Sequence, residues 1–469
     1  MTATEHILFL TGRLAHDSLV RELEQLPAPG FTWQVHDLGL KVAALMTVSM
    51  IRRRLTDTFG ADRIILPGLC SGDIQALSRE LGLPVERGPK DLKDLPEFFG
   101  GETRTTDLSR YRVRIFAEIV DAPFLDLAQL LARAQRYRQD GADVIDLGCL
   151  PEQPFPHLEA SIQALQAEGF QVSVDSLSET ELLRAGEAGA DYLLSLKEST
   201  LWIADQVAGT PVLIPEQPGD LPSLYRAIEA LQARGRDFLA DPILDPIHFG
   251  FTASIVRYHE LRQRYPDIPV LCGTGNVTEL TDADTTGMTA LLMGMASELA
   301  VDAILTTEVS PHARTAVREA DLARRMLFAA REDGNLPRRY SNGLMAHRDR
   351  KPFAHDNAGI KAMAAAVRDP NFRIQVNQDG IHVYNRDGLY CATDPFVLYP
   401  QLGVEQDGGH AFYLGVELGR AQIAWQLGKR YLQDNELTWG VVTEAPAIPD
   451  ETAEYRAVAT TSRKYRKTP

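Results

Sequence analysis

The stretch QVSVDSLSETELLRAGEAGADYLLSL, Gln171 to Leu196, decides the fold. QVSVD alternates apolar and polar residues, the period of a short buried strand. The alternation ends at Asp175. Ser176 and Ser178 then offer helix N-caps, and Glu179 puts acid in the first turn. ETELLRAGEAG reads as a helix that stops at glycine, and DYLLSL opens a second strand. The unit is strand, helix, strand, with a carboxylate at the first strand's end. A buried charge without compensation is expensive, so Asp175 needs a partner. A local cap or ion pair would supply one, and so would a ligand.

The same unit recurs on both sides. VRIFAEIV, DVIDLG, QVSVD, DYLLSL, TPVLIP, DFLAD leading into PILDP, IPVLCG and VDAILTT give eight strands. Between them LDLAQLLARAQRYRQDG, HLEASIQALQAEG, SLYRAIEALQARG, SIVRYHELRQRYP and ALLMGMASELA have helical periodicity. Eight such units predict a closed (β/α)8 TIM barrel over residues 109–335. A doubly wound open sheet is the structural alternative, but it rarely runs to eight regular units.

The flanks differ. Residues 1–108 alternate strands and helices (HILFLTG, SLVRELEQL, DRIILPGL, IQALSRELG) and predict a small Rossmann-like α/β domain. RGPKDLKDLPEFFGGETRTTD then reads as a linker. In residues 336–446, FRIQVNQDGIHVYNR signals a hairpin with an Asp-Gly turn. HAFYLGVELGRAQIAWQLGKRYLQD follows as a long helix, so this part is an α+β domain. Residues 447–469 read as a polar tail.

Composition excludes several classes. The net charge of −16 argues against sequence-independent nucleic-acid binding, which needs Lys and Arg to neutralise phosphate. No apolar run approaches the length of a membrane span, and the first residues do not form a signal peptide. Four cysteines without a CxxC pair suggest a reducing cytoplasm and no disulfide framework.

In a barrel of this kind the reactive groups stand at the C-terminal ends of the strands. Those ends carry Glu118 and Asp121, Asp146, Asp175, Ser195 and Lys197, Asp245, Asn276, and Thr306, Thr307 and Glu308. Ser/His/Asp and HExxH arrangements are missing from them. A mouth rich in acids and amides suits a ligand with several N–H donors, a metal, or both. LCGTGNVTEL adds a glycine-rich strand end, read either as backbone approaching a ligand or as a plain tight turn.

At these residues the chain resembles a known family. GADVIDLGCLPEQP, VSVDSLSETELLRAGEAGADYL, ILDPIHFGF and VLCGTGNVTEL fall in the order and spacing of the core blocks of dihydropteroate synthase, over roughly Arg112 to Glu332. The wider group is the pterin-binding barrels, which also holds the methyltetrahydrofolate:corrinoid methyltransferases. The whole chain looks most like the dihydropteroate synthase-related proteins linked to tetrahydromethanopterin synthesis and one-carbon metabolism. Ile381–Asn385 and His410–Ala421 match that group's C-terminal signature.

The resemblance implies a transferase that joins 7,8-dihydropterin-6-ylmethyl diphosphate to an arylamine. In the tetrahydromethanopterin type the acceptor is 4-(β-D-ribofuranosyl)aminobenzene 5′-phosphate. It implies Mg²⁺ and a cytoplasmic enzyme whose partners are small molecules, and barrels of the family are often homodimers. By the same resemblance Asp175 and Asp245 hold the pterin, with Asn276 and Asp146 beside them. Glu118 falls near metal and diphosphate, and Lys197, Thr306, His312 and Arg314 fall to diphosphate or acceptor. Plainer readings stand beside these: Asp146 as a loop tie, Lys197 as a surface lysine, His312 and Arg314 as solvated helix-start residues, and His248 as a structural histidine.

The departures bear on catalysis. The synthase block's arginine aligns with Gln153, the asparagine of its IND block with Leu194, and its last-strand RVHD with Thr306–Val309. Asn276 matches the methyltransferase block better than the synthase lysine. Methyl transfer from a reduced methylpterin and non-catalytic pterin binding therefore stay open.

Overall fold

Strand β1 (His6–Thr11) is apolar at successive positions because helices cover both faces of its sheet. Ile7 and Phe9 enter one core with Leu19 and Leu23, while Leu8 and Leu10 enter another with Ile51 and Leu77. β2 (Thr32–Asp37), β3 (Arg63–Leu66) and β4 (Val85–Arg87) complete a parallel sheet in the order β2-β1-β3-β4. The computed structural model describes residues 4–26, 30–101, 106–151 and 153–443; the polar tail expected at 447–469 lies outside them. The chain divides into two compact units. The first holds this sheet, through Arg110, together with Phe328–Tyr340. The second holds residues 111–327 and the chain from Ser341 onward.

In the second unit, the eight expected strands form one parallel sheet. They are β5 (Arg114–Ile119), β6 (Val144–Gly148), β7 (Gln171–Asp175), β8 (Tyr192–Leu196), β9 (Thr210–Leu213), β10 (Leu239–Ala240), β11 (Leu271–Gly273) and β12 (Ala303–Thr307). The order β10-β9-β8-β7-β6-β5-β12-β11 leaves β10 and β11 at the ends, and an Ala240–Val270 bridge joins them. The Ala240 N–H donates to Pro269 O at 3.0 Å, so the sheet closes on itself. This is a (β/α)8 barrel, as the strand count predicts. One connection departs from the pattern: between β8 and β9 the chain makes a 3₁₀ helix, Glu198–Asp205.

Period-2 alternation sorts the strand residues. Phe116, Val144, Leu194, Val212, Leu239, Leu271 and Ala303 cluster inside the barrel. Ile115, Ala117, Val172, Val174, Cys272 and Ile304 face the helices instead. The opening stretch folds as read. Ser178 Oγ accepts the Glu181 N–H and caps helix Glu179–Glu187. Ser176 Oγ accepts the Ser178 N–H at 2.9 Å and donates to Glu181 at 2.6 Å.

The chain from Ser341 adds an antiparallel sheet: β13 (Arg373–Asn377), β14 (Gly380–Asn385) and β15 (Gly388–Ala392). Helix Gly408–Leu427 lays Leu414, Leu418, Ala421 and Ala424 on Ile374, Val376, Ile381 and Val383. It ends at Gly428 with φ 71°, a left-handed stop that glycine takes without strain.

Candidate functional site at the barrel mouth

The parity that puts Phe116 and Val144 inside also points Glu118 and Asp146 inward, one step nearer the C-terminal rim. Asp175, Ile214, Asp241, Gly273 and Thr307 occupy the matching positions on or just beyond their strands. Together they surround a cavity of about 370 Å³. Its polar lining includes Glu118, Asp175, Ser195, Asp241, Asn276, Glu279 and Thr307, and Leu194, Val212, Ile214 and Leu305 supply apolar wall. Among the described residues, no Lys, Arg or His lines it.

Three acids lie close together. Glu118, Asp146 and Asp175 offer oxygens all within 4.8 Å of one another. Burial, reinforced by the charges of Asp175 and Glu279, pushes the Glu118 carboxyl up to about 8. Burial likewise raises Asp175 to about 6, against a weak pull from the Ser195 hydroxyl. Asp146 is fully buried and held well above the ordinary carboxylate range by burial and by its two neighbours. Ser173 donates to Asp146 Oδ1, and Asp146 Oδ2 has no hydrogen-bond partner. Gly148 makes room for this arrangement, since a Cβ there would stand 2.7 Å from Glu118 Oε1.

The structure brings Glu118, Asp175 and Asn276 to the cavity, with Asp146 buried against the first two. Asn276 donates its side-chain N–H to Leu244 O at 2.8 Å, and its amide oxygen is left for another donor. The other expected residues lie elsewhere. Asp245 is not in the lining; its carboxylate pairs with Arg257 at 2.6 Å. Thr306 is buried but sits one residue out of phase with Leu305 and Thr307, so it faces the helices. Lys197 starts the 3₁₀ helix after β8, with its backbone N–H on Thr200 Oγ1. The His312 ring bonds Thr278 O at 3.0 Å, and Arg314 is exposed.

Two residues of the mouth escaped the sequence reading. Asp241 follows a strand of only two residues, because Pro242 cannot extend the ladder. Its Oδ1 accepts from Tyr258 Oη at 2.6 Å and from the Ile243 N–H at 2.7 Å. Burial lifts its carboxyl to about 6. The signal was present: LADP carries the same Asp-Pro pair as ILDP four residues later, and nearer the apolar run. Glu279 is returned to the mouth by the short helix Gly275–Thr278. It accepts from Thr307 Oγ1 and from the N–H groups of Val309 and Ser310, at 2.8–3.0 Å.

Glu308 ends the last strand but turns outward. Its side chain is 1% exposed and pairs with Arg136 at 3.0 Å. Burial raises its carboxyl from 4.5 to about 7, and the Val317 N–H and Arg136 only partly oppose this. The folded state therefore holds this proton more tightly than the unfolded chain. Stability is lost as pH rises from about 4.5 to about 7, by roughly 3 kcal/mol in all. Glu308→Gln should flatten that part of the profile in urea titrations at pH 5 and pH 8. An unchanged pH 5-to-8 difference would contradict the assignment.

Comparisons with known proteins place this geometry. A family of unknown function (DUF6513) matches residues 5–90, within the first unit. An uncharacterised protein of Methanocaldococcus jannaschii is 25% identical over a 524-residue alignment, covering 92% of this chain and 98% of that one. Among solved structures, Yersinia pestis dihydropteroate synthase with a pterine-sulfa conjugate is 20% identical at a TM-score of 0.38, over 48% of this chain and 96% of that one. The 7,8-dihydropteroate synthase of Vibrio fischeri ES114 is 18% identical at a TM-score of 0.38, over 48% and 94%. The Anaplasma phagocytophilum synthase with bound 6-hydroxymethylpterin-monophosphate is 18% identical at 0.36, over 46% and 98%. At these TM-scores the likeness carries no part of the argument; the barrel rests on its strand order and register.

Proposed function

We propose that the barrel binds a reduced pterin and joins its 6-methylene carbon to an arylamine nitrogen with release of diphosphate. The observation that carries this reading is the convergence of Asp175, Asp241 and Asn276 on one cavity with apolar walls. A pterin is flat, and its pyrimidine edge presents an amino group and a ring N–H side by side. Carboxylates accept such paired donors, as they accept the fork of arginine. Asp241 Oδ2, which has no bond to the protein among those described, meets that edge, and Asp175 and Asn276 hold the rest of the ring system. The arylamine nitrogen attacks the methylene carbon, the carbon–oxygen bond to diphosphate breaks, and the nitrogen loses its proton. Holding two flat substrates in line supplies much of the acceleration. The resemblance of the sequence blocks to dihydropteroate synthase supports the reaction type. The acceptor 4-(β-D-ribofuranosyl)aminobenzene 5′-phosphate, and with it a role in tetrahydromethanopterin synthesis, follows from the resemblance of the whole chain.

Glu118, Asp146 and Asp175 fit a hard divalent cation such as Mg²⁺, which takes oxygen ligands. The partnerless buried Oδ2 of Asp146 is the atom that argues for it. Such an ion, when bound, offsets the charge of the departing diphosphate. Mg²⁺ should raise the melting temperature, by the equivalent of about 2–3 kcal/mol at a hundredfold excess over its Kd. Asp146→Asn keeps an acceptor for Ser173 and should remove that increment. A melting temperature indifferent to Mg²⁺ would count against the ion.

One observation favours a second reading. The lining has no cation to receive diphosphate, and Asn276 suits methyl transfer from a reduced methylpterin to an acceptor at the mouth. Incubation with dihydropterin-methyl diphosphate, Mg²⁺ and either 4-aminobenzoate or its ribosylated phosphate analogue separates the two. Diphosphate release supports condensation. No release with either amine sinks it, and methyl loss from a methyl-tetrahydropterin to a corrinoid would then establish the second.

A further inference from the structure

The sheet of the first unit offers a site of its own. Its order, β2-β1-β3-β4, reverses the chain's course between β1 and β3. In open α/β sheets such a reversal leaves a crevice outside the carboxyl ends of the strands, and ligands bind there. A cavity of about 300 Å³ occupies this place, at the lower end of the roughly 300–1,000 Å³ usual for small-molecule sites. Its walls are mostly apolar, with Leu10, Leu19, Ala43 and Leu66 among them. Backbone reaches the rim at glycine turns: a Cβ on Gly68 would strike the Pro89 carbonyl, and one on Gly88 would lie 2.9 Å from Ile65 Cγ2.

The polar groups here are donors in want of acceptors. Lys93 Nζ and Asn335 Nδ2 both line the cavity, are buried and have no hydrogen-bond partner. Lys93 Nζ lies over the Tyr340 ring, 2.8 Å from its centroid, a contact that supplies no acceptor atom. Lys90 and Arg338 stand at the same cavity. Among the described residues none of these three cations has an ion pair, whereas Asp91 is neutralised by Arg339 at 3.3 Å. Leaving buried donors unmatched is costly, and an anionic acceptor removes that cost.

We propose that this cavity binds a small organic phosphate, with a flat heteroaromatic body against the apolar walls and the phosphate on Lys93 and Asn335. Lys90 and Arg338 add charge at the rim. The proposal is independent of the reading of the barrel and stands or falls without it.

Adenosine 5′-monophosphate, adenosine and inorganic phosphate are suitable probes for titration calorimetry on the full chain. The monophosphate should bind, and adenosine and phosphate should each bind more weakly by on the order of tenfold or more. Lys93→Met should weaken the monophosphate by a similar factor. Ala44→Trp, at an exposed wall position, should block it while leaving the melting temperature unchanged. The proposal is overturned by no binding of the monophosphate at millimolar concentration. It is also overturned if adenosine or phosphate alone binds as tightly as the monophosphate, a comparison that needs no variant. Binding that survives both folded variants unchanged would overturn it too.

Discussion

Asp241→Asn should lower affinity for 7,8-dihydropterin by on the order of 10- to 100-fold while leaving the fold as stable as before. The asymmetry comes from which oxygen does what. Oδ1 holds Tyr258 and the Ile243 N–H, and an asparagine carbonyl can keep both bonds. The new NH₂ replaces the oxygen facing the ligand and opposes the donors of the pyrimidine edge. Losing a hydrogen bond to a charged group costs about 1.5–3 kcal/mol. Stability need not fall, because burial already disfavours the Asp241 charge. Asp245→Asn should behave in the opposite way. It breaks a partly buried ion pair with Arg257 and costs stability, with little effect on pterin affinity. Equal losses of affinity in the two variants, read by fluorescence titration, would refute the assignment of Asp241.

Arg324→Met should destabilise the second unit by about 3–5 kcal/mol and leave the mouth intact. The Arg324 side chain is 1% exposed. Its guanidinium donates to Val113 O at 2.8 Å, Gly141 O at 2.7 Å and Asp321 Oδ1 at 2.7 Å, pairs with Asp143, and stacks 3.6 Å from the Tyr111 ring centroid. It thus ties the last barrel helix to the N-terminal ends of β5 and β6, opposite the cavity. Removing it leaves Asp143 and two carbonyls without their partner. Lysine should not rescue, because a point charge cannot serve these divergent acceptors as a planar fork does. Urea unfolding gives the loss directly, and a change below 1 kcal/mol would contradict this account of the barrel's base.

The barrel was legible because its signal is repeated and local. Each apolar run of four to eight residues is followed by a turn and a helical stretch, so eight similar readings support one another. Strand phase was legible too, and it placed Glu118, Asp175 and Asp146 correctly relative to one another once the interior parity was known. The expectation at β10 differed for a physical reason. Apolar pattern alone lets DFLADPILDP run as one strand, but Pro242 stops the ladder, so Asp241 and not Asp245 becomes the acid at the mouth. Thr306 differs by a single residue of register, which moves a side chain to the opposite face of a sheet. Asn276 and Glu279 depend on a short helix after β11, a backbone detail that composition does not specify. Ser176 and Ser178 cap as read, and Asp175, whose partner was in question, shares the mouth with Glu118 and Asp146 and receives only the 3.4 Å bond from Ser195.

The central claim is that the acids at the barrel mouth recognise a pterin. A crystal structure of the full chain with 7,8-dihydropterin tests it most directly. The account predicts the ring in the cavity between Leu194, Val212 and Leu305, with its amino group and ring N–H within 3.2 Å of Asp241 or Asp175 oxygens. A pterin bound elsewhere, or a mouth left empty at saturating concentration, would contradict it.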